Sequence, residues 1–289
     1  MKFSPKKQTI LITGANQGLG FEIAKYFAQK DKILILCGRT EKLNNIAKKK
    51  LTKFSKKNIF FYKLDISKKN DVDKFYSKIF KKFKKIDVLI NNAGIYGPKG
   101  HTHLIDWNEL IKTININLVG SIYMIRKILS HFKNKKSGKI IQMSGGGASS
   151  SFPFFSSYSI SKVGIVRFVE NVAEEYKKYK IFANSVAPGP VNTRMLDEVL
   201  KAGPKIVGKN FYEKSLKQLK KGGTDIRKIV SLIDFLSSDE SNGITGKLIS
   251  ALWDNWIDFK KHNKILKKSD VGTLRRITGR DRKLNFFDI

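Results

Sequence analysis

The chain has 289 residues, and 57 lysines and arginines against 24 aspartates and glutamates give it a formal net charge of +33. A hydrophobic content of 41% is too high for a disordered basic tail, and the single cysteine, Cys37, excludes an internal disulfide framework and a cysteine-rich zinc site. No apolar run approaches the roughly 20 residues that a membrane-spanning helix needs, so we expect a globular cytoplasmic protein without a secretory signal.

Apolar runs alternate with helical patterns along most of the chain. Strands are predicted at residues 9–13, 32–37, 59–64, 86–90, 139–143 and 181–186. Helices are predicted at residues 21–29, in a lysine-rich segment that ends near residue 54, at about 69–83, and on either side of the fifth strand. This alternation is typical of a parallel sheet covered on both faces. No linker divides the chain, so the predicted fold class is α/β, a single Rossmann-like, doubly wound domain.

A glycine-rich segment, Thr13-Gly-Ala-Asn-Gln-Gly-Leu-Gly20, lies between the first strand and the first helix. Gly14 permits a tight turn, Gly18 lets the backbone approach a pyrophosphate, and Gly20 lets the helix pack closely on the strand. The helix N-terminus that follows offers free N–H groups to an anion. The segment therefore predicts a dinucleotide site, with a merely tight turn as the alternative.

Four further motifs follow in a fixed order: Asp65 after the third strand, Asn91-Asn-Ala-Gly94 after the fourth, Tyr158-Ser-Ile-Ser-Lys162, and Ala187-Pro-Gly-Pro-Val-Asn-Thr193. Together with the glycine segment they resemble the short-chain dehydrogenase/reductase superfamily. The resemblance implies an oxidoreductase that uses NAD or NADP. It also implies that the cofactor contacts Gly14, Asn16, Gln17, Gly18, Leu19, Gly20, Arg39, Asp65, Ile66, Asn92, Ala93, Gly94, Tyr158, Lys162, Pro188, Gly189, Val191 and Thr193.

Tyr158 and Lys162 are four residues apart, which puts them on one face of a helix. A free phenol has a pKa of about 10, and a nearby ammonium favours the phenolate. The resemblance implies that Tyr158 protonates a carbonyl oxygen as hydride arrives, while Lys162 lowers the pKa of the phenol and holds the nicotinamide ribose. It also implies that Asn117 holds a water in the proton relay; Asn115 is the competing candidate, and a simple backbone tie is the other interpretation.

The catalytic serine departs from the family pattern. The family places it 13 residues before the tyrosine, and that position here is Gly145. Ser144 is the favoured replacement, because the glycines that follow it could absorb a shift of one residue. Ser149, another loop serine or a weaker oxyanion donor is the alternative, and losing one such donor costs roughly 3–4 kcal/mol.

The end of the second strand, Cys37-Gly-Arg-Thr40, bears on cofactor choice. Relatives that prefer NAD place an acidic residue where Gly38 stands, whereas Arg39 is a cation suited to a 2′-phosphate. NADP is therefore the predicted cofactor, with NAD as the second choice.

Three segments resemble one bacterial branch of the family: Ser144-Gly-Gly-Gly-Ala148, residues 243–256 and Thr273-Leu-Arg-Arg-Ile277. We predict a reductase domain over residues 1–252, with a substrate lid at about 193–223. Residues 253–289 are predicted to form a C-terminal extension that packs on the domain or on a partner subunit. The spacing of Trp256, Phe259 and Leu266 predicts a short helix within it.

The partners are predicted from the charge pattern and from the resemblance. The 48 lysines and only 9 arginines are scattered along the chain, which indicates a compositional bias rather than a specific nucleic-acid site. No membrane partner is expected, and the resemblance implies a homodimer or homotetramer. His101 and His103 are best explained as surface residues, so no metal is predicted. Four lid lysines could meet an anionic substrate, although a solvated face is favoured: Lys201, Lys205, Lys209 and Lys214.

The predicted activity is hydride transfer between NADP and a carbonyl or secondary alcohol of a small, polar or sugar-like molecule. An acyl-thioester ketoreductase is the enzymatic alternative. A catalytically weak, cofactor-binding regulatory protein is the alternative outside enzymes, since Gly145 stands at the serine position.

Overall fold

The computed structural model describes residues 7–55 and 57–284, and the parallel strands in these ranges form one seven-stranded sheet. The strand order is β3-β2-β1-β4-β5-β6-β7. The strands are β1 (Thr9–Thr13), β2 (Ile33–Gly38), β3 (Ile59–Lys63), β4 (Val88–Asn91), β5 (Gly138–Met143), β6 (Ile181–Ala187) and β7 (Leu248–Ser250). The order reverses between β1 and β4, so a crevice for a ligand opens there at the carboxyl ends of the strands.

Helices cover both faces of the sheet. They are α1 (Gly18–Gln29), α2 (Glu41–Leu51), α3 (Lys69–Lys82), α4 (Trp107–Ile114), α5 (Ser121–Lys135), α6 (Ser156–Glu175), α7 (Arg194–Ala202), α8 (Pro204–Val207), α9 (Lys209–Lys221), α10 (Ile226–Ser237) and α11 (Asn263–Leu266). A π-helical turn, Asn115–Gly120, joins α4 to α5. The helices α7, α8 and α9 follow β6 and form the segment predicted as a lid.

The core consists of two apolar layers, one on each face of the sheet. Leu11 of β1 packs with residues of α3, α5 and α6, whereas Ile10 and Ile12 pack with residues of α1 and α10 on the other face. Because both faces are covered, every residue of β1 and β2 is buried. This explains why these strands have near-continuous apolar sequences.

The predicted fold class is confirmed. The differences from the prediction concern the ends of two helices, one strand that was not predicted, and the segment near Trp256. Helix α1 begins at Gly18 rather than residue 21, because the glycine segment itself enters the helix. Helix α2 ends at Leu51 rather than near residue 54. Strand β7 was not predicted, since its three residues are too few to show a period. The helix expected near Trp256 is instead a 3-10 turn followed by α11, at Trp256–Lys260 and Asn263–Leu266.

Candidate active site

The glycine segment folds into a tight turn that packs against the segment after β4. Gly14 and Gly18 have φ angles of +64° and +55°, which favour glycine. A Cβ atom at Gly20 would lie 2.2 Å from the carbonyl oxygen of Gly14 and 2.4 Å from Nδ2 of Asn92. Any side chain at Gly20 would therefore push the turn away from the segment after β4.

The Thr13 hydroxyl ties these two segments together. It accepts hydrogen bonds from the backbone N–H groups of Asn92 (2.9 Å) and Ala93 (3.0 Å), and it donates one to Oδ1 of Asn91 (3.2 Å). The amide of Asn92 donates to the carbonyl oxygen of Thr13 at 3.0 Å. The side chain of Asn92 thus holds the turn in place. Ala93 and Gly94 form one wall of the cleft that lies beside the turn.

A cleft of about 1200 Å³ lies at the carboxyl ends of the strands, beside this turn. Every residue that the sequence predicted to contact the cofactor lines it, from the glycine segment to Thr193. Tyr158, Lys162 and Ser144 line it as well, whereas Asn117 is buried behind the wall and does not. The structure therefore brings the predicted residues together around one cavity.

Two asparagine side chains fill the space over Gly38. Nδ2 of Asn16 donates to Oδ1 of Asn44 at 2.8 Å, and Nδ2 of Asn44 donates to the carbonyl oxygen of Gly38 at 2.8 Å. A Cβ atom at Gly38 would lie only 2.3 Å from Nδ2 of Asn16. A side chain at position 38 would therefore have to displace the Asn16 amide from Asn44. The next residue, Arg39, is exposed at the cleft wall. Asn44 belongs to no sequence motif, so its role was not predicted.

Tyr158 and Lys162 lie on α6 and are both buried, with Tyr158 only 6% exposed. The ammonium of Lys162 donates to the carbonyl oxygen of Met143 at 3.0 Å and lies 5.3 Å from the centre of the Tyr158 ring. Burial lowers the pKa of Lys162 to about 8.

Burial also raises the pKa of Tyr158 above its ordinary value, and the neighbouring Tyr96 raises it further. This direction is opposite to the lowering expected from Lys162. The reason is that desolvation of the phenolate dominates. The phenol is therefore held as a proton donor.

Ser144 and Gly145 lie at the end of β5. The backbone N–H of Ser144 donates to the carbonyl oxygen of Val186 at 2.8 Å, and its buried hydroxyl has no hydrogen-bond partner among the described residues. A Cβ atom at Gly145 would lie 2.2 Å from Oη of Tyr158. The backbone of Gly145 thus fits against the phenol oxygen. The alternative residue, Ser149, is exposed and also lines the cleft.

The side chain of Asn117 lies in the π-helical turn and holds the wall of the cleft. It accepts a hydrogen bond from the backbone N–H of Ile95 at 2.9 Å and donates to the carbonyl oxygen of Ile95 at 2.8 Å. Its amide also donates to Oγ of Ser161 at 3.1 Å. The backbone tie that the sequence left open is therefore present, while the water-relay role stays a prediction. Asn115 is exposed.

Aromatic rings surround Tyr158 on the side of the lid. The ring of Tyr96 meets that of Tyr158 edge-on at 4.8 Å, and Phe152 stacks on Phe155 at 4.4 Å. Phe211 of α9 packs edge-on against both phenylalanines, at 5.0 and 5.2 Å. The sequence analysis did not name these residues. Their apolar walls differ from the lining expected for a sugar-like substrate.

Only some of the lysines of the lid line the cleft. Of the four lid lysines named from the sequence, only Lys214 lines it, together with Lys217 and Lys221 of the same helix.

Within residues 7–55 and 57–284 no group of three or more histidine, cysteine, aspartate or glutamate side chains could hold a metal ion. The same ranges contain no helix that is long and apolar enough to cross a membrane.

Comparison with known proteins identifies one matching family and several similar reductases. The family described as short chain dehydrogenase matches residues 8–203. A 3-oxoacyl-[acyl-carrier-protein] reductase of Buchnera aphidicola is 32% identical over 245 residues, which cover 84% of this chain and 95% of that protein. A diacetyl reductase of Staphylococcus epidermidis is 29% identical over 248 residues, or 84% of this chain and 96% of that protein.

The matches to solved structures of similar fold extend over nearly the whole of those chains. Levodione reductase has a TM-score of 0.77 at 24% identity, with 86% of this chain and 97% of that chain covered. The structure of ElxO with NADP bound has a TM-score of 0.72 at 26% identity, with 85% and 97% covered. Because levodione reductase is only 24% identical to this chain, its similarity shows the fold alone.

Proposed function

The chain belongs to the short-chain dehydrogenase family and is an oxidoreductase of carbonyl and alcohol groups, and we propose that NADP is its hydride carrier. One observation carries the proposal: the buried side chains of Tyr158 and Lys162 lie in the same cleft as the glycine segment. A proton donor and a dinucleotide site are the two parts that hydride transfer to a carbonyl needs.

The residues at the glycine turn fit a dinucleotide. Helix α1 begins at Gly18, the side chain of its N-cap residue Gln17 makes no capping hydrogen bond, and its first turn has no acidic residue. These N–H groups and the helix dipole are suited to a pyrophosphate. Arg39 is suited to the 2′-phosphate of NADP, whereas an acid at position 38, which would bind the ribose of NAD, would have to displace the Asn16–Asn44 pair.

The chemistry follows from the burial of the reacting groups. Bound NADPH would supply a hydride to the carbonyl carbon of the substrate. Tyr158 then donates its phenolic proton to the carbonyl oxygen, and the buried Lys162 ammonium, 5.3 Å from the centre of the Tyr158 ring, stabilises the phenolate that is left. We assign the hydroxyl that holds this oxygen to Ser144, because its Oγ is buried at the cleft without a partner among the described residues. Alcohol oxidation uses the same groups in reverse.

We propose a small carbonyl compound as the substrate. Tyr96, Phe152 and Phe211 favour apolar groups beside the carbonyl over the sugar-like substrate expected from the sequence. An acyl-thioester ketoreductase remains the second candidate, supported by the similarity to 3-oxoacyl reductases. The buried tyrosine and lysine argue against a regulator without catalysis.

The cytoplasmic location, the boundary at residue 252 and the assignment to one bacterial branch stay predictions.

The first test measures NADPH and NADH oxidation with a panel of carbonyl compounds, for the wild type and Arg39→Ala. We expect NADPH to be preferred, and Arg39→Ala to raise the KM for NADPH about tenfold or more without changing that for NADH, because a charge-assisted contact with phosphate is lost. Arg126→Ala, on α5 and outside the cleft lining, is the control. A wild type that prefers NADH tenfold would overturn the assignment of NADP.

We further propose that the protein is a homodimer or homotetramer that uses the outer surface of α4, the π-helical turn and α6. These elements pack on one another and carry exposed apolar side chains in a chain that is otherwise rich in lysine: Trp107, Ile111, Val119, Ile160 and Val163. Such a patch is typical of a contact surface. A second copy with the same patch is its self-complementary partner.

Sedimentation velocity tests this assembly. The wild type is expected to sediment as a dimer or tetramer. Trp107→Lys is expected to sediment as a smaller species, because a charge would be buried in the contact. Ile257→Lys, at an equally exposed apolar residue of the tail, is the control and should leave the assembly intact. A monomeric wild type would contradict the proposal.

A further inference from the structure

Residues 269–277, here called the strap, cross the edge of β7 and reach helix α6. Several backbone groups of the strap are held by the rest of the chain. The carbonyl oxygen of Ser269 accepts from the Lys247 ammonium at 2.6 Å, that of Gly272 accepts from the N–H of Leu248 at 2.6 Å, and the N–H of Leu274 donates to Oε1 of Glu170 at 2.7 Å. The strap is therefore attached along its length and covers the free edge of β7.

Two of the groups that hold the strap are charged and buried. Lys247 is 5% exposed and Glu170 is 8% exposed. Glu170 forms an ion pair with Arg167 at 2.6 Å, and the Arg167 guanidinium also donates to the carbonyl oxygen of Leu274. Both backbone groups of Leu274 are thus fixed by charge-assisted hydrogen bonds from α6, the helix that carries Tyr158 and Lys162.

Arg275 fixes the strap from its other side. Its guanidinium pairs with Asp270 at 2.7 Å and with Asp281 at 2.6 Å. These contacts lie within the tail, and Arg275 is not part of the cleft lining. The residues before it, Gly272, Thr273 and Leu274, do line the cleft. The strap therefore forms a wall of the cleft whose position is set by α6 on one side and by the tail on the other.

Two residues after β7, Leu252 and Trp253, also line the cleft. Leu252 lies against the Pro188–Gly189 turn, since a Cβ atom at Gly189 would lie 3.4 Å from its Cβ. Trp253 follows it and is 79% exposed, although it lines the cleft. The volume of about 1200 Å³ exceeds the roughly 300–1,000 Å³ of a single ligand site. The cleft is thus large enough for the cofactor and for more than a four-carbon substrate.

We propose that Leu252, Trp253 and Leu274 form a distal subsite that binds an apolar part of the substrate, remote from its carbonyl group. This inference rests on the proposed carbonyl reduction. Trp253 offers one large flat face, and Leu252 and Leu274 add apolar area to the lining of the same cleft, which suits an acyl chain or a ring. The strap is the specificity-determining wall of this subsite, and Glu170 acts as a positioning residue through Leu274.

The kinetic test compares two probes, 2,3-butanedione and the N-acetylcysteamine thioester of 3-oxooctanoate, at saturating NADPH. We expect Trp253→Ala, Leu274→Ala and Glu170→Ala each to lower kcat/KM for the thioester about tenfold, through KM, and to leave the diketone unchanged. Ile257→Ala and Glu174→Ala are the matched controls, in the tail and one turn farther along α6. Equal losses for both probes, or none for the thioester, would overturn the subsite.

A binding measurement separates this inference from the proposed activity. The octanoyl thioester of N-acetylcysteamine, which has no 3-oxo group, is titrated into the protein with NADPH while tryptophan fluorescence is followed. Saturable quenching in the wild type that is lost in Trp253→Phe supports the subsite even if neither carbonyl probe is reduced. A wild type without saturable quenching overturns it even if both probes are reduced.

Discussion

Tyr158→Phe is expected to lower kcat for carbonyl reduction by about 10²–10⁴-fold, the usual contribution of a positioned general acid. The substitution removes only the phenolic oxygen, while the ring keeps its contacts with Tyr96 and Phe152. The fold and the glycine turn should therefore be unchanged. Steady-state rates with the best carbonyl of the panel measure the loss, and NADPH fluorescence measures the cofactor affinity, which should stay within a few-fold of the wild type.

Tyr176→Phe is the matched control for this variant, because Tyr176 follows α6 directly and lies outside the cleft lining. It should keep wild-type kcat. Retention of wild-type kcat in Tyr158→Phe would remove the general acid from the proposed mechanism. Tight NADPH binding without turnover in the wild type, unchanged in Tyr158→Phe, would instead favour the cofactor-binding regulator.

The parts of the site that the sequence predicted share one property: their geometry is local. The glycine turn needs three residues at fixed spacing, and Tyr158 and Lys162 need only one helical turn to face the same way. Strands such as β1 were predicted closely because full burial requires an uninterrupted apolar run. Local spacing was therefore sufficient to predict the glycine turn and the placement of Tyr158 and Lys162 on one helix.

The missed parts depend on contacts between distant segments. Asn44 matters because it meets Asn16 across the end of β2, and Phe211 matters because the lid brings it against Phe152. Neither contact has a sequence period. The desolvation that raises the pKa of Tyr158 was not predicted for the same reason: it comes from surrounding elements, whereas the sequence shows only the nearby lysine.

Gly145→Ser places the family's serine at its usual position, yet we expect it to lower kcat about 10²-fold. The added Cβ would lie 2.2 Å from Oη of Tyr158, so the phenol must move. Its ring is buried and held edge-on by Tyr96, so a shift that relieves the contact also displaces the proton donor. A misplacement of about 1 Å at a reacting group can cost about 10²-fold in rate.

Gly146→Ser is the matched control, because a Cβ there would meet only the Phe152 ring, at 3.4 Å. Kinetics of the two variants and Ser144→Ala separate the explanations for the missing serine. If Ser144 holds the carbonyl oxygen, Ser144→Ala and Gly145→Ser should both lose activity while Gly146→Ser keeps it. A Gly145→Ser enzyme that is faster than the wild type would instead mean that the site lacks a hydroxyl donor, and that Tyr158 moves to accommodate one.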